Sequence, residues 1–357
     1  MKLLSKKKKL IYIPVVMFVA IGVVILLAWS SSNKVSQKNG FNRKVVMEEL
    51  KIENVCEKKP DIVSVVGSSS GYIYFKTKDP RKIFRASNDL KESGYVNLDF
   101  ISTKKIEYSF NPIIDSPFVY ILASNIPGVI VGDMNSGKTI STLNFPSTLF
   151  TKGIMISPST FVFRTFNSTK NSLFQTFIKG DPYSGKVINT NDALSGEDDT
   201  GIPSDGMLSY DNSTNLISYI QFYNNNIIVM DTNLNIVRSG RTIDTTFHSA
   251  TEMGSSSKGG VSSYSNSTPK RFVNWVNCTY KGLLFNNSLL NADNENNDKF
   301  LANSAIDIYK LNDGSYKGSI YIPQYQGEKM NHFRVSNDLV IATYKSYIVT
   351  YKLPAIE

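Results

Sequence analysis

An all-β fold, a β-propeller of six four-stranded blades behind one N-terminal transmembrane helix, is what this sequence predicts. Three observations carry it: a hairpin-like unit recurs, its spacing matches one blade, and three strands close the chain while an extended segment near its start lacks a partner. The unit is plainest in VIVGDMNSGKTISTLNF, Val129 to Phe145, where two arms of alternating apolar residues flank a turn of Asp, Asn, Ser and Gly. That is the pattern of a β-hairpin. Its relatives begin at Lys82, Thr176, Ile227 and Ile306 (KIFRASNDLKESGYVNLDF, TFIKGDPYSGKVINT, IIVMDTNLNIVRSGRTI and IDIYKLNDGSYKGSIYI). The turn acids fall near 89, 133, 181, 231 and 313, at intervals of about 44, 48, 50 and 82. All but the last interval match the ~40–50 residues of one blade.

At the N-terminus, five of the first nine residues are lysine (Lys2, Lys6, Lys7, Lys8 and Lys9), and Leu10 to Trp29 carries no charge. Twenty helical residues rise about 30 Å, the thickness of a bilayer's hydrocarbon core. A cleaved secretory signal has a shorter apolar core of ~7–15 residues. The run therefore reads as a single-pass signal anchor, with residues 10–29 in lipid and the lysines held cytoplasmic. Residues 1–9 form a basic cytoplasmic segment, 30–43 a flexible linker and 44–357 the propeller. This places the propeller on the periplasmic or extracytoplasmic side of the cytoplasmic (inner) membrane. The chain's net charge is +9, and once those five lysines are set aside, the remaining 34 of 39 Lys and Arg nearly balance the 30 acids. Nucleic-acid binders present a clustered basic face, and none is visible here.

Blade by blade, Asp61 to about residue 101 supplies a first unit and the stretch ending near Phe145 a second. STFVFRTF through KVINTN makes the third, and GMLSYDNSTNLISYIQFYNNNIIVMDTNLNIVRSGRTID the fourth. The long last interval implies an insert. HSATEMGSSSKGGVSSYSNSTPK, His248 to Lys270, is Ser/Gly-rich without periodicity and is expected to be disordered. A fifth unit resumes at NWVNCTYKGLLFN and contains a second polar insert, NADNENNDK. Three strands end the chain. Phe41 to Val55 fits neither period cleanly, and residues 44–52 are expected to complete the final blade, because a ring must seal its termini or leave raw sheet edges.

Candidate chemistry is sparse. Gly132-Asp-Met-Asn-Ser-Gly137-Lys138-Thr139 matches the phosphate-loop pattern G-x-x-x-x-G-K-[ST]. That loop needs a helix after it, whereas TISTLNFPSTLF is β-branched and broken by Pro146. The frame also recurs as Gly180-Asp-Pro-Tyr-Ser-Gly185-Lys186-Val187 without the metal-binding hydroxyl. It reads as a hairpin turn, with no nucleotide. Cys56 and Cys278 are the only cysteines; outside the cytoplasm they either pair as a disulfide or sit as two separate buried thiols. Of the two histidines, His248 borders the insert, and His332 starts an innermost strand and so faces either the channel or a packed wall. Asp115, Asp205 and Asn274, at inner-strand positions, are the candidate metal ligands. Asn291 to Asp298 offers further oxygens but lacks the turn Gly and terminal Glu of an EF-hand loop.

One stretch resembles a known group. Asp205, Gly206, Leu208, Tyr210 and Asp211, then Tyr223, Asn225, Ile228, Met230, Asp231, Asn233 and Leu234, then Thr242, Ile243, Asp244 and Thr245 form a patterned blade. It is similar to that of membrane-anchored six-bladed β-propeller-like proteins of Bacteroidetes-type bacteria, a group with no assigned activity. The resemblance implies architecture and transfers no site residue. The sequence therefore predicts a non-catalytic, membrane-tethered propeller that needs no cofactor and binds a protein or peptide. The alternative is a calcium-dependent hydrolase or lyase with a metal in its central channel.

Overall fold

A computed structural model describes residues 6–32, 38–99, 106, 109–145, 149–168, 173–194, 203–249, 253–258, 261–266 and 271–356. At 6–13, 28–32, 166–168, 173–174 and in the two segments between 253 and 266 it describes the backbone alone. Two compact units divide between Asn39 and Gly40. The first contains helix α1 (Lys6–Ser32). Its described side chains span 14–27, and the large apolar residues from Val15 to Leu27 are exposed at 49–80 %. Among the described residues, no helix is long and apolar enough to cross a membrane, although as a backbone element α1 runs for 27 residues.

The second unit begins with two short strands, β1 (Val45–Met47) and β2 (Ile52–Glu57). Blade one is β3 (Ile62–Ser69), β4 (Tyr72–Thr77), β5 (Lys82–Ser87) and β6 (Ser93–Asn97). Blade two is β7 (Phe110–Asp115), β8 (Phe118–Ala123), β9 (Val129–Asp133) and β10 (Thr139–Leu143). Blade three is β11 (Phe150–Ser157), β12 (Thr160–Ser168), β13 (Leu173–Asp181) and β14 (Lys186–Asn191). Blade four is β15 (Gly206–Asp211), β16 (Leu216–Gln221), β17 (Asn226–Asp231) and β18 (Ile236–Arg241). A hairpin of β19 (Met253–Lys258) and β20 (Val261–Asn266) follows. Blade five is β21 (Asn274–Tyr280), β22 (Leu283–Ser288), β23 (Asn303–Lys310) and β24 (Tyr316–Pro323), with helix α2 (Asn297–Ala302) before β23. Blade six is β25 (His332–Ser336), β26 (Leu339–Thr343) and β27 (Tyr347–Lys352), and its outer strand is β2, antiparallel to β27.

The first strands of the blades, β3, β7, β11, β15, β21 and β25, pack each against the next, and β25 returns to β3. Middle strands are apolar on both faces because each blade is covered on both sides. In β8, Val119, Ile121 and Ala123 pack toward blade one, while Tyr120 and Leu122 pack toward blade three. This period-2 division repeats, so that six buried clusters fill the six blade interfaces.

The recurring turns join the third strand to the fourth in blades one to five. In each, an Asp carboxylate accepts the backbone amide two residues on: Asp89 from Lys91, Asp133 from Asn135, Asp181 from Tyr183, Asp231 from Asn233 and Asp313 from Ser315. This Asx turn holds the chain reversal locally. Blade six has no such turn because its third and fourth strands come from opposite ends of the chain. In blade two the turn needs Gly137, whose φ is +72° and whose added Cβ would lie 2.7 Å from the Asn97 carbonyl oxygen.

The N-terminal segment departs from expectation. The strand that completes blade six is 52–57, while 45–47 pairs in parallel with β24 as a fifth strand of blade five. Residues 40–43, the end of the expected flexible linker, are strapped to the NADNENNDK insert. The Gly40 amide donates to Asp293, the Arg43 backbone amide donates to Asn294 Oδ1, and the Arg43 carbonyl accepts from Asn294 Nδ2. The Arg43 guanidinium is fully buried, 2.8 Å from Asp307 Oδ1 and 2.6 Å from Glu295 Oε2, and it also donates to the Leu290 carbonyl. Burial opposes its charge, but the two carboxylates prevail and raise its pKa further. The Ser/Gly-rich insert, expected to be disordered, contains the β19–β20 hairpin, paired from Met253↔Asn266 to Lys258↔Val261. Serine at half of the strand positions leaves no apolar alternation to signal a strand.

Candidate functional site

Closing six radial sheets leaves a central channel of about 730 Å³, lined by the first strand of every blade. Its wall is largely polar, with Ser64, Ser68, Asn111, Ser209, Asn277 and Thr279 among aliphatic side chains such as Ile113 and Ile154. The ionisable groups apart from tyrosine and Cys278 are Asp115, Asp211, His332 and Arg334. Asp211 is saturated: it accepts from the amides and hydroxyls of Ser213 and Thr214 and from the Gly282 amide. His332 does start an innermost strand and line the channel. Burial, then the nearby cations Arg334 and Lys76, push its pKa down to about 4, so the imidazole is neutral near pH 7. Its Nδ1 is buried without a hydrogen-bond partner.

The three candidate metal ligands are not brought together. Asp115 lines the channel. Asp205 is tied instead to the buried Arg164, with Oδ1 2.9 Å from Nη1. Asn274 is fully buried; its Nδ2 donates to the Gln221 and Asn224 carbonyls, and its Oδ1 accepts from Asn286. Asp205 and Asn274 are thus taken up by protein partners, and among the described residues no group of three or more His, Cys, Asp or Glu converges.

Gly132 and Thr139 face each other across an antiparallel pair, with Gly137 and Lys138 in the turn between, and Thr139 opens strand β10 rather than a helix. The loop amides that would cradle a phosphate are engaged: Asp133 Oδ1 accepts the Asn135 amide, and the Gly137 amide bonds the Asp133 carbonyl. Of the two alternatives for the cysteines, the structure holds separate thiols: Cys56 and Cys278 are both free, the first half-buried and the second buried. Cys56 lies on the outer strand of blade six, whereas Cys278 lies on the innermost strand of blade five, where burial pushes its thiol up to about 11.

Two features were not read from the sequence. Arg334 lines the channel two residues after His332, an alternation that was available as a signal. The other is an aromatic group at the end of the ring where the inner strands begin. Phe222, Tyr223, Phe272 and Trp275 meet at centroid distances of 5.0–6.2 Å, and Lys152 lies over the Phe222 ring. Trp275 is 45 % exposed. The Phe222 carbonyl accepts the Val273 and Asn274 amides, which fixes the cluster across blades four and five.

Comparison with known proteins places this architecture. The chain is similar in structure to a member of the DUF4221 family from Bacteroides vulgatus, with a TM-score of 0.53 over 88 % of this chain and 98 % of that one, at 12 % identity. The likeness is one of fold. BamB from Moraxella catarrhalis aligns with a TM-score of 0.41 at 10 % identity over 90 % of this chain and 97 % of that one. The nidogen/laminin complex gives 0.43 at 11 % identity over 73 % and 80 %. No family model and no curated protein matches the chain.

Proposed function

We propose that this protein is a membrane-tethered binding propeller that engages a protein or peptide partner outside the cytoplasm. The observation that carries the reading is the aromatic group of Phe222, Tyr223, Phe272 and Trp275, flanked by Lys152 and fixed to a rigid ring. Clustered aromatics beside a cation are the composition of interface hot spots, because they bury large area at low entropic cost. The tether is α1. Its exposed apolar side chains from Val15 to Leu27 lie on all sides of the helix, a surface that calls for an apolar surrounding. The uncharged run from Leu10 to Trp29 beside the lysine block supports a span with the propeller on the extracytoplasmic side. The likeness of residues 205–245 to membrane-anchored propeller-like proteins supports the same reading.

The test is site-specific photo-crosslinking in cells with the full chain. A photoreactive residue at Trp275 is expected to give a discrete adduct with another protein, absent when the same residue replaces the exposed Ile188 on the outer rim. No adduct at 275, or the same adduct at both positions, would overturn the proposal.

A further inference from the structure

The channel holds two opposite charges that the protein itself does not neutralise. Among the described residues, neither Arg334 nor Asp115 has a side-chain hydrogen bond or ion pair, whereas Asp211 is saturated. Their relative levels follow from their neighbours. Ser68 on β3 shares a hydroxyl–hydroxyl hydrogen bond with Ser336 on β25, and Gly67 lies against Ile114 on β7. Asp115 is therefore level with Ser68 and Ser336, and Arg334 lies two residues back along β25, about 7 Å by the rise of a strand. Strands β25 and β7 flank β3 on opposite sides, so the charges are also separated around the channel. The total is on the order of 10 Å, and because the two charges are opposite no single small ion answers both.

A ligand that answers both charges carries a carboxylate and an ammonium about 10 Å apart, the span of roughly three extended residues with free termini. Along the channel wall Ser64 and Ser68 carry hydroxyls, and the buried, unpartnered Nδ1 of His332 and Nδ2 of Asn277 belong to the same wall. The Asn277 Oδ1 is already taken by the Ser209 hydroxyl, which leaves its donor side unanswered. The volume of about 730 Å³ lies within the range of small-ligand sites.

We propose that the central channel binds a short zwitterionic peptide of about three residues, its C-terminal carboxylate on Arg334 and its N-terminal ammonium on Asp115. The inference rests on the reading of the protein as a peptide- or protein-binding propeller and narrows it for the channel. Isothermal titration of the full-length chain in detergent uses trialanine as the probe, beside N-acetyl-trialanine and trialanine amide. Trialanine is expected to bind, and each capped peptide at least ten-fold more weakly. Arg334→Met is expected to weaken trialanine at least ten-fold without further weakening the amide, and Asp115→Asn to do the same with respect to the acetylated peptide. No binding of trialanine, indifference to capping, or equal losses for both capped peptides in both variants would overturn it. The capping comparison needs only the unaltered protein, so a variant that fails to fold does not remove the test. An adduct at Trp275 alongside no trialanine binding would sink this inference and leave the partner reading standing.

Discussion

Blades three and five are built to one plan and finish differently. In blade five, β24 is covered by β1, and the residues before β1 are pinned by Arg43 against Asp307 and Glu295. In blade three, β14 is the outer edge strand with no further strand on it among the described residues, and Val187 and Ile188 are more than half exposed. Lys186 and the irregular register at Lys179/Gly180 are the devices that blunt that edge. The same repeat thus serves as a cheap rim where no chain terminus passes and as a reinforced seam where one does. Stability is invested at the seam.

The largest expected effect tests that investment. Arg43→Ala leaves Asp307 and Glu295 without their buried cation, and breaking such a pair costs about 3–5 kcal/mol. Denaturant unfolding of the full chain should show this as a large drop in midpoint, and a shift no greater than that of a surface substitution would refute the contrast between seam and rim. Next comes a matched pair of truncations. Ile320, under β1 and 1 % exposed, should lose about 2–5 kcal/mol as Ile320→Ala. Ile188→Ala on the outer rim should stay within about 0.5 kcal/mol. Equal losses would mean that the edge of blade three is covered in solution.

The smallest effect belongs to the exposed turns. The Ser87 hydroxyl and Lys91 amide hold the Asp89 carboxyl below the usual range, and the Asn135 amide and Ser136 hydroxyl do the same for Asp133. Asp181 is lowered by Ser184 and Tyr183, and Asp313 by the side chain and amide of Ser315. Because each folded pKa lies below its unfolded value of about 3.9, the stabilisation is complete above that value. It is lost as pH falls through the depressed folded values. Replacing the four with Asn should flatten the acid limb of a melting-temperature profile and leave Arg43 untouched; an unchanged acid limb would show that the turns do not contribute.

The propeller was legible because each turn advertises itself locally: an acid, a tight polar run and apolar alternation on both sides all fall within about 17 residues. The number of blades was legible for a subtler reason, since five turns plus three unmatched strands imply one blade made from both ends. The register of its closing strand was not. KVVMEELKI contains the parallel strand β1 and a bend before β2, and so shows no single period. The strap escaped notice because Arg43 and its carboxylates are about 250 residues apart and share no pattern. At His332 the channel was one of two alternatives and Asp115 was read only as a candidate metal position, while Arg334 and the aromatic group depend on which strands turn inward and which loops meet, and pairwise spacing does not encode that.

The strap has a mechanical consequence. Any tension along the chain from the α1 side reaches Arg43 and β1 before it reaches β2, the strand that shuts the ring. The arrangement works as a cable gland does, taking the load on the casing so that the connection inside stays slack. Pulling single molecules from the N-terminus should show a first rupture that Arg43→Ala weakens, with the ring opening only after it; a ring that opens first would show that the gland bears nothing.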